Sequence, residues 1–212
     1  MRTLWIVLPL WSGLLYAITA MLLKRAMVMG MGPWRSMLAT NLVMALSFLP
    51  LLRQGGTWPA AGQGLIWLQP MTCGLLFFVG QTLIFLAINH GDVSVAAPTL
   101  GAKVLLVAFF TVVLLESPVP LIWWLAAVMS TVAFILLRPA GGGGQDAHAY
   151  RRRFLPTFGA AFAGAVCFAL CDTLVTQWAP GWDGPGYFLP TVFVTNGLLS
   201  LAYLPFFRGT PP

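Results

Sequence analysis

The chain has 212 residues, of which 59% are hydrophobic and 8% charged, and its formal net charge at pH 7 is +6. So few polar groups cannot cover a water-soluble domain of this length, and the composition predicts a protein embedded in a lipid bilayer. The basic residues lie at the ends of apolar segments, where they contact lipid headgroups, so we exclude nucleic acid as a partner.

Seven apolar segments are long enough to cross a bilayer core of about 30 Å, which takes about 20 helical residues. In chain order, the predicted spans lie near residues 4–23, 34–52, 64–88, 93–115, 120–137, 154–178 and 187–207. The connections are mostly short, which favours antiparallel helical hairpins. The sequence therefore predicts an all-α, multi-pass protein of the inner or plasma membrane with about seven transmembrane helices.

A duplication links the second and seventh spans. Residues 37–53 recur in altered form at 192–208, and six of the 17 aligned positions are identical at a constant offset of 155. The identical pairs are Thr40/Thr195, Asn41/Asn196, Leu46/Leu201, Leu49/Leu204, Pro50/Pro205 and Arg53/Arg208. An alternative stays open, because two membrane helices can converge on similar ends when both need an apolar run closed by proline and arginine.

If the second and seventh spans correspond, the repeat contains five helices. An odd number makes the second copy enter the membrane from the opposite side, which gives the inverted-repeat architecture of many secondary transporters. We divide the chain into a first five-helix repeat at 1–138, a flexible Gly/Arg linker at 139–153 and an incomplete second repeat of two helices at 154–212. We therefore expect a truncated chain, or a homo-oligomer or separate partner that supplies the missing helices.

Lysine and arginine predict the orientation. Eight of these residues flank the spans on the side of the linker and two flank them on the other side. By the positive-inside rule, the linker lies in the cytoplasm and the N-terminus outside.

Lys103 lies near the middle of the fourth predicted span. A lysine at that depth costs about 2.5–3.5 kcal/mol on insertion scales, so it faces a partner, a water-filled cavity or a ligand. Two interpretations stay open: an anchor for a carboxylate or other anionic group of a substrate, and a structural lysine that binds carbonyls or an acid.

Asp172 is the only acidic residue inside a predicted span. Burial disfavours its charged form, so it is a candidate for proton exchange, or for an ion pair with Lys103 that opens when substrate arrives. The alternative is an aspartate at a helix end that reaches interfacial water.

Five further residues complete the predicted substrate-binding set. Asn41, Asn196, Gln81 and Tyr16 are polar groups within spans, and Trp11 lies beside Tyr16 where it would form the wall of a pocket. For the polar groups, hydrogen bonding between helices is favoured over substrate contact. The other tryptophans, Trp182 among them, lie nearer the predicted ends of spans, where the aromatic belt explains them.

The remaining inventory argues against an enzyme. The two histidines lie outside the spans, HExxH is absent, and the three cysteines have no metal-binding spacing. The glycines at 141–144 lack the Lys-Ser/Thr of a phosphate loop. We predict no catalytic residue, no cofactor and no metal site.

Residues 85–98, FLAINHGDVSVAAP, lead into an apolar run that ends at Glu116, then into Pro118 and a fifth helix that ends at Arg138. This pattern, with a Trp-Ser-Gly start at Trp11, resembles the EamA-like repeat of the drug/metabolite transporter superfamily. The resemblance implies a ten-helix permease of two inverted repeats around a central cavity, moving small metabolites by alternating access. It also implies an interfacial, structural role for Glu116, and an N-terminus in the cytoplasm, which contradicts the charge count.

Two departures from this family pattern matter. Helices eight to ten are absent, and Lys103 stands where the bacterial pattern more often has proline. The leading hypothesis is a secondary transporter of small metabolites in which Lys103 anchors the substrate. The alternative is a non-transporting membrane scaffold or subunit whose polar residues only hold helices together.

Overall fold

The computed structural model describes scattered residues between 7 and 26, and the ranges 29–54, 64–90, 102–116, 118–136, 147–182 and 185–203. The scattered residues between 7 and 26 are helical. The six continuous helices are α1 Pro33–Phe48, α2 Leu68–His90, α3 Lys103–Leu115, α4 Leu121–Leu136, α5 Ala147–Trp178 and α6 Pro185–Ala202. Short 3-10 turns occupy Leu49–Gln54, Gly64–Trp67 and Ala179–Trp182. Within these ranges there is no β-strand, which confirms the all-α prediction.

Three helical segments are long and apolar enough to cross a membrane: Trp34–Arg53, Gly64–Ile88 and Leu155–Trp182. They agree closely with the second, third and sixth predicted spans. Lys103–Leu115 and Gly186–Ala202 are shorter apolar helices. Helix α2 continues to His90, into residues predicted to form the next connection.

Large apolar side chains are exposed on all six helices. Examples, one from each helix in order, are Val43, Met71, Val104, Leu121, Leu155 and Leu198. Exposure of this kind is unfavourable in water and expected where helices contact lipid, because lipid tails are as apolar as the side chains themselves. The outer surface therefore agrees with a membrane protein.

Helix α5 begins at Ala147, within the residues assigned to the predicted linker and before the predicted span that starts near residue 154. Pro156 lies inside α5. The residues before it, alanine, tyrosine and three arginines, have ordinary to good helix propensity, so the helix extends through them. Residues 139–146 lie outside the described ranges.

Helix α2 packs against α5 at a close crossing of two glycines. A methyl group added at Gly80 would lie 3.2 Å from the carbonyl oxygen of Gly164, and one added at Gly164 would lie 3.0 Å from that of Gly80. Small residues at such a crossing let two backbones touch, which is how helices gain packing energy in lipid. The glycines therefore set the distance between α2 and α5.

Helices α1 and α6, which carry the duplicated segments, pack antiparallel. The Trp34 ring lies 6.4 Å from that of Tyr203, and the Phe48 ring stacks 4.1 Å from that of Phe193. The start of α1 thus meets the end of α6, and the end of α1 meets the first half of α6. This arrangement fits two repeats of opposite orientation, although the inverted five-helix repeat and its domain boundaries stay predictions.

Two residues lie at helix ends. Glu116 directly follows α3, has the left-handed conformation (φ 50°) and is exposed, and its interfacial role stays a prediction. Trp182, assigned to an aromatic belt, is instead 2% exposed and donates a 3.1 Å hydrogen bond from Nε1 to Oε1 of Gln69. The belt assignment is wrong for Trp182, because α2 supplies a half-buried partner, Gln69, that the local sequence does not show.

Candidate functional site

Lys103 and Asp172 form an ion pair between α3 and α5. Lys103 Nζ lies 2.7 Å from Asp172 Oδ2, and the side chains are 34% and 49% exposed. The same ammonium group lies 5.5 Å from the centre of the Phe168 ring, one turn before Asp172. A carboxylate and an aromatic face therefore hold the lysine on one side, while protein covers only part of each charged side chain.

The position of Lys103 within its helix differs from the prediction. The described helix begins at Lys103, after Ala102, rather than ten residues earlier. The N-terminal end of a helix carries partial positive charge, which disfavours a lysine there. The carboxylate of Asp172, on α5, offsets this unfavourable interaction between the lysine and the helix end. Residues 93–101 of the predicted fourth span lie outside the described ranges.

Asn41 makes a hydrogen bond between the duplicated helices. Its Nδ2 donates to Ser200 Oγ over 2.6 Å, and Ser200 Oγ donates to the backbone oxygen of Asn196 over 2.9 Å. Asn41 and Asn196 are both 0% exposed. The structural role favoured for Asn41 is therefore present in the molecule, and Ser200 is a partner that the sequence analysis missed. The sequence feature that could have identified Ser200 is its position one helical turn after Asn196.

Asn196 lacks the corresponding bond. The repeat offset of 155 aligns Ser200 with Ala45, so the position that would face Asn196 has a methyl group instead of a hydroxyl. Neither Nδ2 nor Oδ1 of Asn196 has a hydrogen-bond partner among the described residues. The two asparagines are equivalent in sequence and differ in chemistry.

The other predicted residues lie in different environments. Gln81 is 7% exposed in α2, and its Oε1 has no partner within the described part of the chain. Trp11 is helical with its side chain 59% exposed, so it is not part of the buried polar groups. Tyr16 lies outside the described residues. No structural observation brings Trp11 to the Lys103–Asp172 pair.

The described ranges contain no group of three His, Cys, Asp or Glu side chains able to hold a metal ion. The ion pair that the structure records in these ranges is Lys103–Asp172, and the buried neutral polar groups are amides and hydroxyls on α1, α2, α5 and α6.

Residues 3–138 match the model of the EamA-like transporter family. The match covers the first predicted repeat and more than half of the chain. No curated protein and no solved structure matches.

Proposed function

We propose that this chain, which belongs to the EamA-like transporter family, is a secondary transporter of small anionic metabolites in the inner or plasma membrane. Membership in the family supports a membrane transporter of small molecules that contacts lipid. The proposal adds the alternating-access mechanism, the anionic substrate class and the multi-pass topology.

The Lys103–Asp172 ion pair is the observation that carries this proposal. It joins α3, within the family match, to α5, beyond it. Alternating access moves one repeat against the other around a central site. A bond between the two regions must therefore strengthen and weaken during the cycle. A substrate carboxylate that replaces Asp172 at Lys103 would break this bond while keeping the lysine neutralised.

The geometry of the pair suits such an exchange. A pair enclosed by protein would lose several kcal/mol when one partner left, whereas a pair that protein covers only in part leaves room for a substrate group to replace one partner. Lys103 and Asp172 belong to the second kind, since protein leaves a third to a half of each side chain uncovered. The antiparallel packing of α1 and α6 supports repeats of opposite orientation, as in the transporters built from inverted repeats.

Uptake by proteoliposomes tests the proposal. The probe is a panel of radiolabelled amino acids and organic acids, with wild type, Lys103→Ala, Asp172→Asn and Thr131→Val compared at equal amounts of folded protein. Thr131 on α4 bonds only within its own helix, to Ala127 O, so its variant is the matched control. We expect uptake of at least one carboxylate by wild type and the control, and at least a tenfold loss for Lys103→Ala.

Two results would count against this function. A folded Lys103→Ala protein with wild-type uptake would remove the lysine from the mechanism. A wild type that takes up nothing, together with Lys103→Ala protein that is only less stable, would favour the membrane scaffold.

A further inference from the structure

Three buried carboxamides, one on each of three helices, have free oxygens. Asn41 on α1 and Asn196 on α6 are 0% exposed, and Gln81 on α2 is 7% exposed. The side-chain oxygen of each has no hydrogen-bond partner among the described residues. Buried polar groups are normally satisfied, so three such oxygens in one small protein indicate a ligand.

The helices bring these side chains to a shared interior. Asn41 and Asn196 meet through Ser200, as described above. Gln81 lies on the face of α2 that also carries Gly74 and Phe78, at helical spacings of seven and three. A methyl group at Gly74 would lie 2.7 Å from Val192 O of α6, and Phe78 packs in one cluster with Met37 of α1. This face of α2 therefore fronts both α1 and α6.

The three residues also lie at similar heights. Thr82 Oγ1 lies 3.5 Å from Met37 Sδ, which sets α1 against α2. Asn41 follows Met37 by one helical turn, and Gln81 directly precedes Thr82. The offset between Asn41 and Gln81 along the helices is therefore about one turn, or 5.4 Å. Asn196 lies one turn from Ser200, the partner of Asn41.

The chemical type of the unpartnered atoms indicates which class of ligand would bind. Three amide oxygens and the Ser36 hydroxyl are unpartnered in the described part of the chain, against one amide nitrogen, Nδ2 of Asn196. Hard cations bind neutral carbonyl and hydroxyl oxygens. Divalent cations also draw on carboxylates, and the carboxylate of Asp172 is already paired with Lys103. An uncharged oxygen set therefore suits a monovalent cation.

We propose that Asn41, Gln81 and Asn196 bind an alkali metal cation, Na⁺ or K⁺, between α1, α2 and α6 through their side-chain oxygens. The site joins the first repeat to the second, so its occupancy holds the two regions together. Binding stands independently of the proposed function. A role for the cation in coupling transport, by contrast, rests on the proposed function.

Thermal unfolding of the full purified chain in detergent tests the site. Unfolding temperatures are compared in NaCl, KCl and N-methyl-D-glucamine chloride at equal ionic strength, so that general salt effects cancel. A ligand that binds the folded state alone raises the unfolding temperature in a saturable manner. We expect a rise of several degrees in NaCl or KCl. The same temperature in all three salts overturns the site.

Two variants and one control assign the effect to the carboxamides. Asn196→Leu and Gln81→Leu each remove a proposed ligand oxygen, and Asn196 gives up no hydrogen bond to a described side chain. Either variant loses the cation-dependent rise if the site is correct. Thr82→Val, on the same helix next to Gln81, keeps it. A full rise in both leucine variants overturns the assignment. The measurement requires no transport, so a failure of the proposed function leaves this result readable.

Discussion

Asn41 and Asn196 hold equivalent positions in the duplicated segments and are equally buried, but they differ in bonding. Asn41 donates to Ser200, whereas Ala45, the residue that aligns with Ser200 in the other segment, has no hydroxyl to bond Asn196. The comparison teaches that a repeated sequence in opposite orientations need not repeat its chemistry. One asparagine secures the helix crossing, and the other keeps its polar atoms free. A single substitution within the repeat, serine against alanine, makes this difference.

The largest effect on stability is expected from a substitution that forces α2 away from α6, the helix that carries Asn196. We expect Gly74→Leu to destabilise the protein by about 3 kcal/mol, because an added Cβ would lie 2.7 Å from Val192 O. Gly159→Leu on α5 is the control, since nothing lies within 4 Å of a Cβ there. Chemical denaturation in detergent measures both. Equal unfolding free energies would mean that the α2–α6 approach is not a fixed contact.

Leucine substitutions at Asn41 and Asn196 test whether the two asparagines differ in bonding. Asn41→Leu loses a hydrogen bond between helices, so we expect a loss of about 1–2 kcal/mol. Asn196→Leu removes a buried amide without a described partner, so in N-methyl-D-glucamine chloride we expect an unchanged stability or a gain of about 1 kcal/mol. The unfolding curve of Asn41→Leu should shift to lower stability, and that of Asn196→Leu should stay in place or shift to higher stability. Equal losses would show that both asparagines are bonded in the same way.

The smallest expected effect comes from restoring the symmetry. Ala45→Ser places a hydroxyl opposite Asn196, as Ser200 stands opposite Asn41, and we expect a gain of about 0.5–1 kcal/mol. Ala39→Ser, at an exposed position of the same helix, is the control and should change stability by less than about 0.5 kcal/mol. A gain at Ala39 as large as that at Ala45 would contradict a specific bond to Asn196.

Much of the helical framework followed from the sequence, because a bilayer requires a minimum apolar length. The segments near 34–52, 64–88 and 154–178 reappear as the three long apolar helices. An ion pair of Lys103 and Asp172 was also foreseeable, since two opposite charges in apolar segments gain most from each other. The family resemblance agrees with the match over residues 3–138. Their roles in substrate binding stay predictions.

Other features depended on neighbours distant in the chain. Trp182 is buried because Gln69 and Trp67 lie beside it, and no local signal distinguished it from a tryptophan of an aromatic belt. Helix α5 begins at Ala147, before the predicted span near 154–178, because that span was assigned from its apolar length and a helix continues through polar residues of good helix propensity.

By itself, the sequence determined that this protein is helical and apolar, because helices satisfy their own backbone groups in lipid, and that two of its segments share residue identities. The tertiary structure alone decided which of the two asparagines is bonded and how closely Lys103 and Asp172 approach. The physical reason is that hydrogen bonds and ion pairs act over a few ångströms, and only the packing of separate helices brings such atoms within that range.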